Sequence, residues 1–274
     1  MSLKRRILEG AIDAAVKALQ VVGGTAATAI LASCVNPVVT VRGGGKNLRF
    51  RAVSRIAYHR ALSLLSKEPD TITWIDTLAD NDVLYDVGAN VGVYTLYAAL
   101  TRRCQVIACE PSAANYAELV RNIALNSVEQ RVIASCTALS DVDCVDYINM
   151  PEVEVGSALS SFGDAVDQNG NPFAPIFRQS VFGHRLDSLI EQYRLLPPTH
   201  IKIDVDGLQA KVIAGALQTL SRPRVRSLAV ELNETLARDR EFIERRKELG
   251  FCVTHTVPSG GPVSHIVNMY FARS

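Results

Sequence analysis

The stretch Asp82-Val-Leu-Tyr-Asp-Val-Gly-Ala-Asn-Val-Gly-Val-Tyr-Thr95 limits what this chain can fold into more than any other. Val83, Leu84, Tyr85 and Val87 form a short apolar run of the kind that makes a buried parallel strand, and Gly88, Ala89 and Asn90 break it. A helix is expected at once afterwards, because Val91, Tyr94, Thr95 and Ala98 recur at helical spacing. The bend Gly88 to Gly92 is then the strand-to-helix turn where a doubly wound sheet opens its carboxyl edge to a ligand. Gly88 and Gly92 are expected to let the backbone bend and approach that ligand with no Cβ in the way. Asp86 is expected at the mouth of the turn, where its carboxylate meets a cationic amino group.

One crossover later comes Gln105-Val-Ile-Ala-Cys-Glu-Pro-Ser112, a strand closed by an acid twenty-four residues beyond Asp86. At that offset Glu110 is the expected acceptor for the ribose hydroxyls of an adenosine. A nicotinamide dinucleotide asks for G-x-G-x-x-G, and Gly88-x-Asn90-x-Gly92 behind Asp86 lacks that spacing. The pattern fits S-adenosylmethionine, whose ammonium and sulfonium charges suit carboxylates. The cofactor residues expected are Asp86, Gly88, Ala89, Asn90, Gly92 and Glu110. Ser140 and Asp141 join them for the adenine amino group, the alternative being a turn with Asp141 as a local cap.

Around this centre strands and helices alternate until Phe251 to Val257 and His265 to Phe271, a closing hairpin through Pro258-Ser-Gly-Gly-Pro262. The expected fold is α/β, a class I methyltransferase Rossmann-like doubly wound sheet of seven strands with the last antiparallel. Residues 55–274 would form that domain and 1–54 a helical and hairpin extension. Ile7 to Val22 keeps helical spacing, and Val38 to Val41 with Leu48 to Val53 flank the glycine-rich turn Arg42 to Asn47, which lacks phosphate-loop spacing. Arg49, Arg51, Arg55, His59 and Arg60 read as a solvated face, with a site for an anionic group as the alternative. Asp70 is expected to cap a helix from Thr71 to Leu78. Met150 to Arg178 reads as a long loop for acceptor recognition, with plain disorder as the alternative.

Apolar residues make up 48% of 274, enough for a full core, and the formal charge of +1 argues against a general nucleic-acid binder. Six cysteines without a C-x-x-C pair read as reduced residues of a cytoplasmic protein. Lys4-Arg-Arg6 and the ending Leu31-Ala-Ser-Cys34 imitate a lipoprotein cleavage box. Glu9, Asp13 and Lys17 favour instead a helix packed on the domain or resting on a membrane surface by its basic end.

Five motifs in order, Asp86-Val-Gly-Ala-Asn-Val-Gly92, Ala108-Cys-Glu-Pro111, Ala138-Leu-Ser-Asp141, Ile201-Lys-Ile-Asp-Val-Asp-Gly207 and Val230-Glu-Leu-Asn233, resemble the FkbM-type S-adenosylmethionine-dependent methyltransferases. The resemblance runs from about Arg55 to Phe271 and leaves the first fifty or so residues unexplained. Cys109 stands where many relatives would carry an aromatic residue. Membership implies methyl transfer, usually to oxygen, often on a sugar or natural-product hydroxyl.

Transfer from a sulfonium needs an oxygen held in line and its proton taken up. Asp204 is the first candidate acceptor of that proton, because its strand ends beside the reacting methyl, though it could only cap a helix or touch the cofactor. Glu231 and Asp206 come next, then His184 in Phe182-Gly-His-Arg185. Lys202 is expected to pair with a carboxylate, and no metal is expected to be required. The partners expected are a small-molecule or glycan acceptor, no nucleic acid, and a peripheral membrane contact through the amino terminus. The competing readings are an NAD-dependent oxidoreductase and a catalytically silent cofactor-binding scaffold in glycan assembly.

Overall fold

A computed structural model describes residues 3–259 and 265–273, in two units that meet between Val38 and Val39. The first unit is one helix, α1 (Leu3–Cys34), interrupted at Gly24, where φ 59° and ψ −156° leave the helical region. It runs past the expected end at Val22, because the Ala and Leu residues that follow the glycine pair again favour a helix, until Asn36-Pro37 turns the chain extended. By length and composition Arg6–Cys34 is long and apolar enough to cross a membrane.

The second unit opens with β1 (Val38–Gly43) and β2 (Lys46–Arg51), joined by Gly44 and Gly45, both at positive φ (54° and 74°) as a two-residue hairpin turn demands. Leu48 and Phe50 of β2 point into the main core. The hairpin therefore belongs to this unit, and the boundary expected after residue 54 moves back to 38. The basic run that follows is a helix, α2 (Arg55–Leu62), capped by Ser54, whose Oγ accepts from the Ala57 amide at 2.9 Å. In α3 (Pro69–Asp76) Pro69 takes the first helical position behind Glu68. Asp70 is not the cap. It lies in the first turn, 2.9 Å from His255 Nε2.

Next come β3 (Val83–Val87), α4 (Val93–Tyr97), β4 (Gln105–Cys109), α5 (Ala113–Asn126) and β5 (Val132–Ser135). Then follow β6 (Ala138–Leu139), β7 (Cys144–Met150), β8 (Ser161–Phe162) and β9 (Phe177–His184). The chain ends with α6 (Leu186–Tyr193), β10 (His200–Ile203), α7 (Gln209–Ala214), α8 (Leu217–Ser221), β11 (Ser227–Asn233), α9 (Ala237–Arg245), β12 (Phe251–Pro258) and β13 (Ile266–Arg273). Part of the turn expected between the last two strands, Gly260 to Pro262, lies outside the described residues.

The main sheet runs β12-β13-β11-β10-β3-β4-β5, and β13 is antiparallel to both its neighbours. That is the expected seven-stranded class I methyltransferase sheet. Both faces are covered, which explains the unbroken apolar strands. In β3 and β4, Leu84, Val106 and Ala108 pack toward α3, α4 and α5, while Val83, Tyr85, Val87, Ile107 and Cys109 pack with residues of α6, α7 and α8. Burying each of the larger side chains among these is worth roughly 1.5–3 kcal/mol. The strand order reverses between β3 and β10, so the carboxyl edge gapes there.

The span read as one loop, Met150 to Arg178, is not structureless. A second sheet, β6-β9-β7-β8, holds both its ends. Exposed and buried residues alternate along much of β7 and β9, so no continuous apolar run marks them.

Candidate active site

At the switch point the turn after β3 is laced to β4. The amides of Gly88 and Ala89 donate to the Cys109 carbonyl at 3.0 and 3.1 Å. A Cβ on Gly88, at φ 83°, would lie 1.9 Å from the Asp204 carbonyl oxygen, and one on Gly92, at φ 89°, 2.4 Å from Leu119 Cδ1. The glycines are thus required by the neighbouring strand and helix, where the sequence had suggested ligand approach. Asn90, at φ 51°, donates its amide to Glu110 Oε2 at 2.8 Å. Glu110 Oε1 accepts from the Ser112 amide at 2.9 Å, leaving further lone pairs on a carboxylate that lines the cleft. Burial pushes Glu110 up to about 7 against these hydrogen bonds.

Asp86 is fully buried and absent from the cleft walls. Its Oδ2 accepts from Thr95 Oγ1 at 2.6 Å, and its Oδ1 lies 3.8 Å from Lys202 Nζ, its partner across the β3–β10 register. Oδ1 has no hydrogen bond among the described residues. Lys202 Nζ turns the other way to Asp204 Oδ2, at 2.9 Å. Burial alone would raise Asp204, but Lys202 and then Lys67 hold it below the ordinary carboxylate range. The expected pairing of Lys202 with a carboxylate is therefore present twice.

Three small cavities, of about 70, 30 and 10 Å³, share Asp204 as a wall. The first runs between Gly88, Glu110, Thr137 to Leu139 and Leu208. The second adds Arg60 and Lys67, and the third adds Glu68, Glu231 and Tyr270. Glu231 accepts from Ser259 Oγ at 2.8 Å, and burial, then the charge of Asp204, lifts it to about 8. Asp206, at φ 49° after β10, accepts from the Leu159 amide at 2.6 Å and is lifted by burial and by Asp204 to about 6. Two neighbouring carboxyls so separated, one low and one high, are a common acid–base arrangement.

Over this cleft lies a strap from Glu154 to Ser160. Ser54 Oγ donates to the Val155 carbonyl at 2.5 Å, and Arg60 Nε donates to that of Gly156. The Gly156 amide donates to Asn115 Oδ1 at 2.7 Å, and the Ser157 carbonyl accepts from Asn90 Nδ2 at 2.8 Å.

Three expected residues lie elsewhere. His184 lines none of the three cavities. It is 3.3 Å from Asp143 Oδ1 and edge-on to Tyr193, although its strand pairs it with Leu139, which lines the first cavity. Ser140 is buried, bonded to Asp141 Oδ1 at 3.0 Å, and Asp141 faces a separate groove between α7 and α9. Thr137, Ala138 and Leu139 line the cleft in their place. The sequence reading also passed over Lys67, Glu68, Asn115 and Tyr270. Only Arg60 carried a signal, as the end of the basic run.

The sequence profile of the methyltransferase FkbM domain matches residues 86–253. A tRNA (guanine(37)-N(1))-methyltransferase of Anopheles darlingi is 36% identical over 112 residues, 41% of this chain. The match spans only 20% of that relative. Among solved structures, a putative methyltransferase of Streptococcus mutans in complex with SAH aligns at TM-score 0.48 and 10% identity, covering 76% of this chain and 97% of that one. A putative tRNA (m1A22) methyltransferase of Streptococcus pneumoniae aligns at 0.43 and 13%, covering 76% and 70%. The match to the Anopheles enzyme overturns the expectation that nucleic acid is no partner. That expectation rested on a net charge of +1, which averages over the whole surface, whereas the Anopheles relative is by name an enzyme of tRNA.

Proposed function

This chain belongs to the FkbM family of S-adenosylmethionine-dependent methyltransferases, and on that premise we propose that its acceptor is a hydroxyl of a sugar-like molecule seated beside Asp204. The observation that carries the reading is the cluster of Glu68, Thr71, Asp204, Glu231, Asn268 and Tyr270, groups that hydrogen-bond hydroxyls, around a space of about 10 Å³ that must widen to admit an acceptor.

The residues suit the donor. Glu110 has free lone pairs for a ribose diol, Arg60 and Lys67 offer cations to an amino-acid carboxylate, and Asp204 offers an anion to the positive end. Asp86 acts from behind, holding Lys202, which in turn aims Asp204. S-adenosylmethionine supplies, when bound, an electrophilic methyl on a sulfonium. Ionised Glu231 would take up the acceptor's hydroxyl proton, since a group near 8 is a stronger base than one held low by Lys202. This reverses the order expected from the sequence, with Asp204 as positioning anion and Glu231 as proton acceptor. No metal is assigned, because Lys202 Nζ already occupies one face of Asp204.

A second reading, a nucleobase nitrogen as acceptor, is favoured by the name of the Anopheles relative. Methyl-labelled donor incubated with enzyme and cell extract separates the two. Label in small-molecule or glycan fractions is the expected result, and label released by ribonuclease supports the second reading. No label in any fraction overturns both.

A further inference from the structure

Helix α1 and the segment after it carry two features that point to one ligand. From Arg6 on, Arg6, Glu9, Asp13, Lys17 and Gln20 fall within an arc of about 80° on a helical projection, and Ile7, Leu8, Ala11, Ile12, Ala15 and Leu19 lie outside it, with Lys4 and Arg5 on that side only at the first turn. Beyond Lys17 no charge occurs until Arg42. The apolar side is bare: Ile7 is 64% exposed, Val21 87%, Val22 89% and Ile30 65%. The second feature is charge. Residues 39–67 contain Arg42, Lys46, Arg49, Arg51, Arg55, Arg60 and Lys67 and no acid, in a chain whose total is only +1. Arg42, Lys46 and Arg49 are exposed along the hairpin, and no ion pair engages them among the described residues.

We propose that α1 is an interfacial anchor, lying in the headgroup layer of an anionic lipid bilayer with the basic hairpin against the same leaflet. An apolar helix face and a basic cluster next to it in the chain are the paired signals that hold a protein on such a surface. Lying flat is favoured over spanning on two counts. Gly24 divides the helix, and its uncharged second piece, Thr25 to Cys34, is only about 15 Å long against a hydrocarbon thickness of about 30 Å. Spanning would also send Lys4-Arg-Arg6 and the hairpin cations to opposite sides, whereas a flat helix lets both meet one negative surface.

The full chain sedimented with vesicles of phosphatidylcholine, with and without about one-third phosphatidylserine, tests this. At least roughly tenfold tighter binding to the anionic vesicles is expected, weakening with salt. The triple variant Arg42→Gln, Lys46→Gln, Arg49→Gln should lose about tenfold or more of it. The double variant Val21→Asp, Val22→Asp should abolish it while S-adenosylhomocysteine still raises the melting temperature, which shows the fold intact. No binding to either vesicle, or equal binding to both, overturns the proposal. So does protection of Lys4-Arg-Arg6 from trypsin added outside the vesicles, which marks a span. Retention by tRNA without binding to vesicles overturns it in favour of an RNA surface.

Discussion

At the scale of single residues the account turns on two carboxylates whose surroundings pull them apart. Asp204 is held ionised by Lys202 at 2.9 Å, and Glu231, buried beside that charge, stays protonated to about 8. Glu231→Gln should cut kcat about a hundredfold and leave the donor Kd within about twofold. In the wild type kcat/KM should rise with pH and level off near 8, since only the ionised carboxyl accepts a proton, and the variant should lose that limb. An undiminished rate in the variant removes Glu231 from the role. Glu110 holds the Asn90 and Ser112 amides, and its remaining lone pairs are assigned to the donor. Glu110→Gln should weaken S-adenosylhomocysteine by roughly tenfold or more in a titration, the worth of about 1.5–3 kcal/mol for a charge-assisted contact. Glu110 was legible because a strand-closing acid at a fixed offset is a local pattern. Lys67, Glu68 and Tyr270 were not, because the turn before α3 and strand β13 bring them to the cleft from positions about two hundred residues apart. The place of His184 was not legible either, since its strand has no apolar run and its side chain is taken up by Asp143 and Tyr193.

At the scale of elements the turn after β3 is a joint between three strands and a helix. Gly88 sits where the Asp204 carbonyl leaves no room for a Cβ, and its positive φ disfavours any other residue. Gly88→Ala should therefore destabilise the domain by roughly 2–4 kcal/mol in urea unfolding, or prevent accumulation of folded protein. A loss under about 0.5 kcal/mol would mean that the two loops separate freely. β3 and β4 were legible because strands buried on both faces announce themselves as apolar runs, although β4 ends at Cys109, one residue before the acid expected to close it. The half-exposed strands β7 and β9 and helix α2, whose charged face hid its two buried alanines, do not. The strap from Glu154 to Ser160 walls the first cavity, and its hydrogen bonds to Asn90, Asn115 and Arg60 of α2 must open for a ligand of the donor's size to enter there.

At the scale of the whole molecule the acids of the cleft leave a trace in stability. Glu231 holds its proton in the fold up to about 8 but releases it near 4.5 when unfolded. The folded state thus binds more protons between those values, and stability falls as pH rises through that window. Glu231→Gln should remove this part, so that the variant gains on the wild type, on the order of 2 kcal/mol by pH 9, in paired denaturant titrations. A constant difference across pH 5 to 9 would show Glu231 to be an ordinary exposed carboxyl. The seven-stranded order was legible from the alternation of elements. The division at Val38 was not, because the packing of Leu48 and Phe50 on the domain is a tertiary fact with no local signature. The most direct test of the central claim is a crystal structure with S-adenosylhomocysteine. The account expects its ribose hydroxyls on Glu110, its adenine beside Thr137 to Leu139 and its homocysteine end toward Lys67 and Asp204. A ligand bound in the groove between α7 and α9, or in the cleft without touching Glu110, would contradict it.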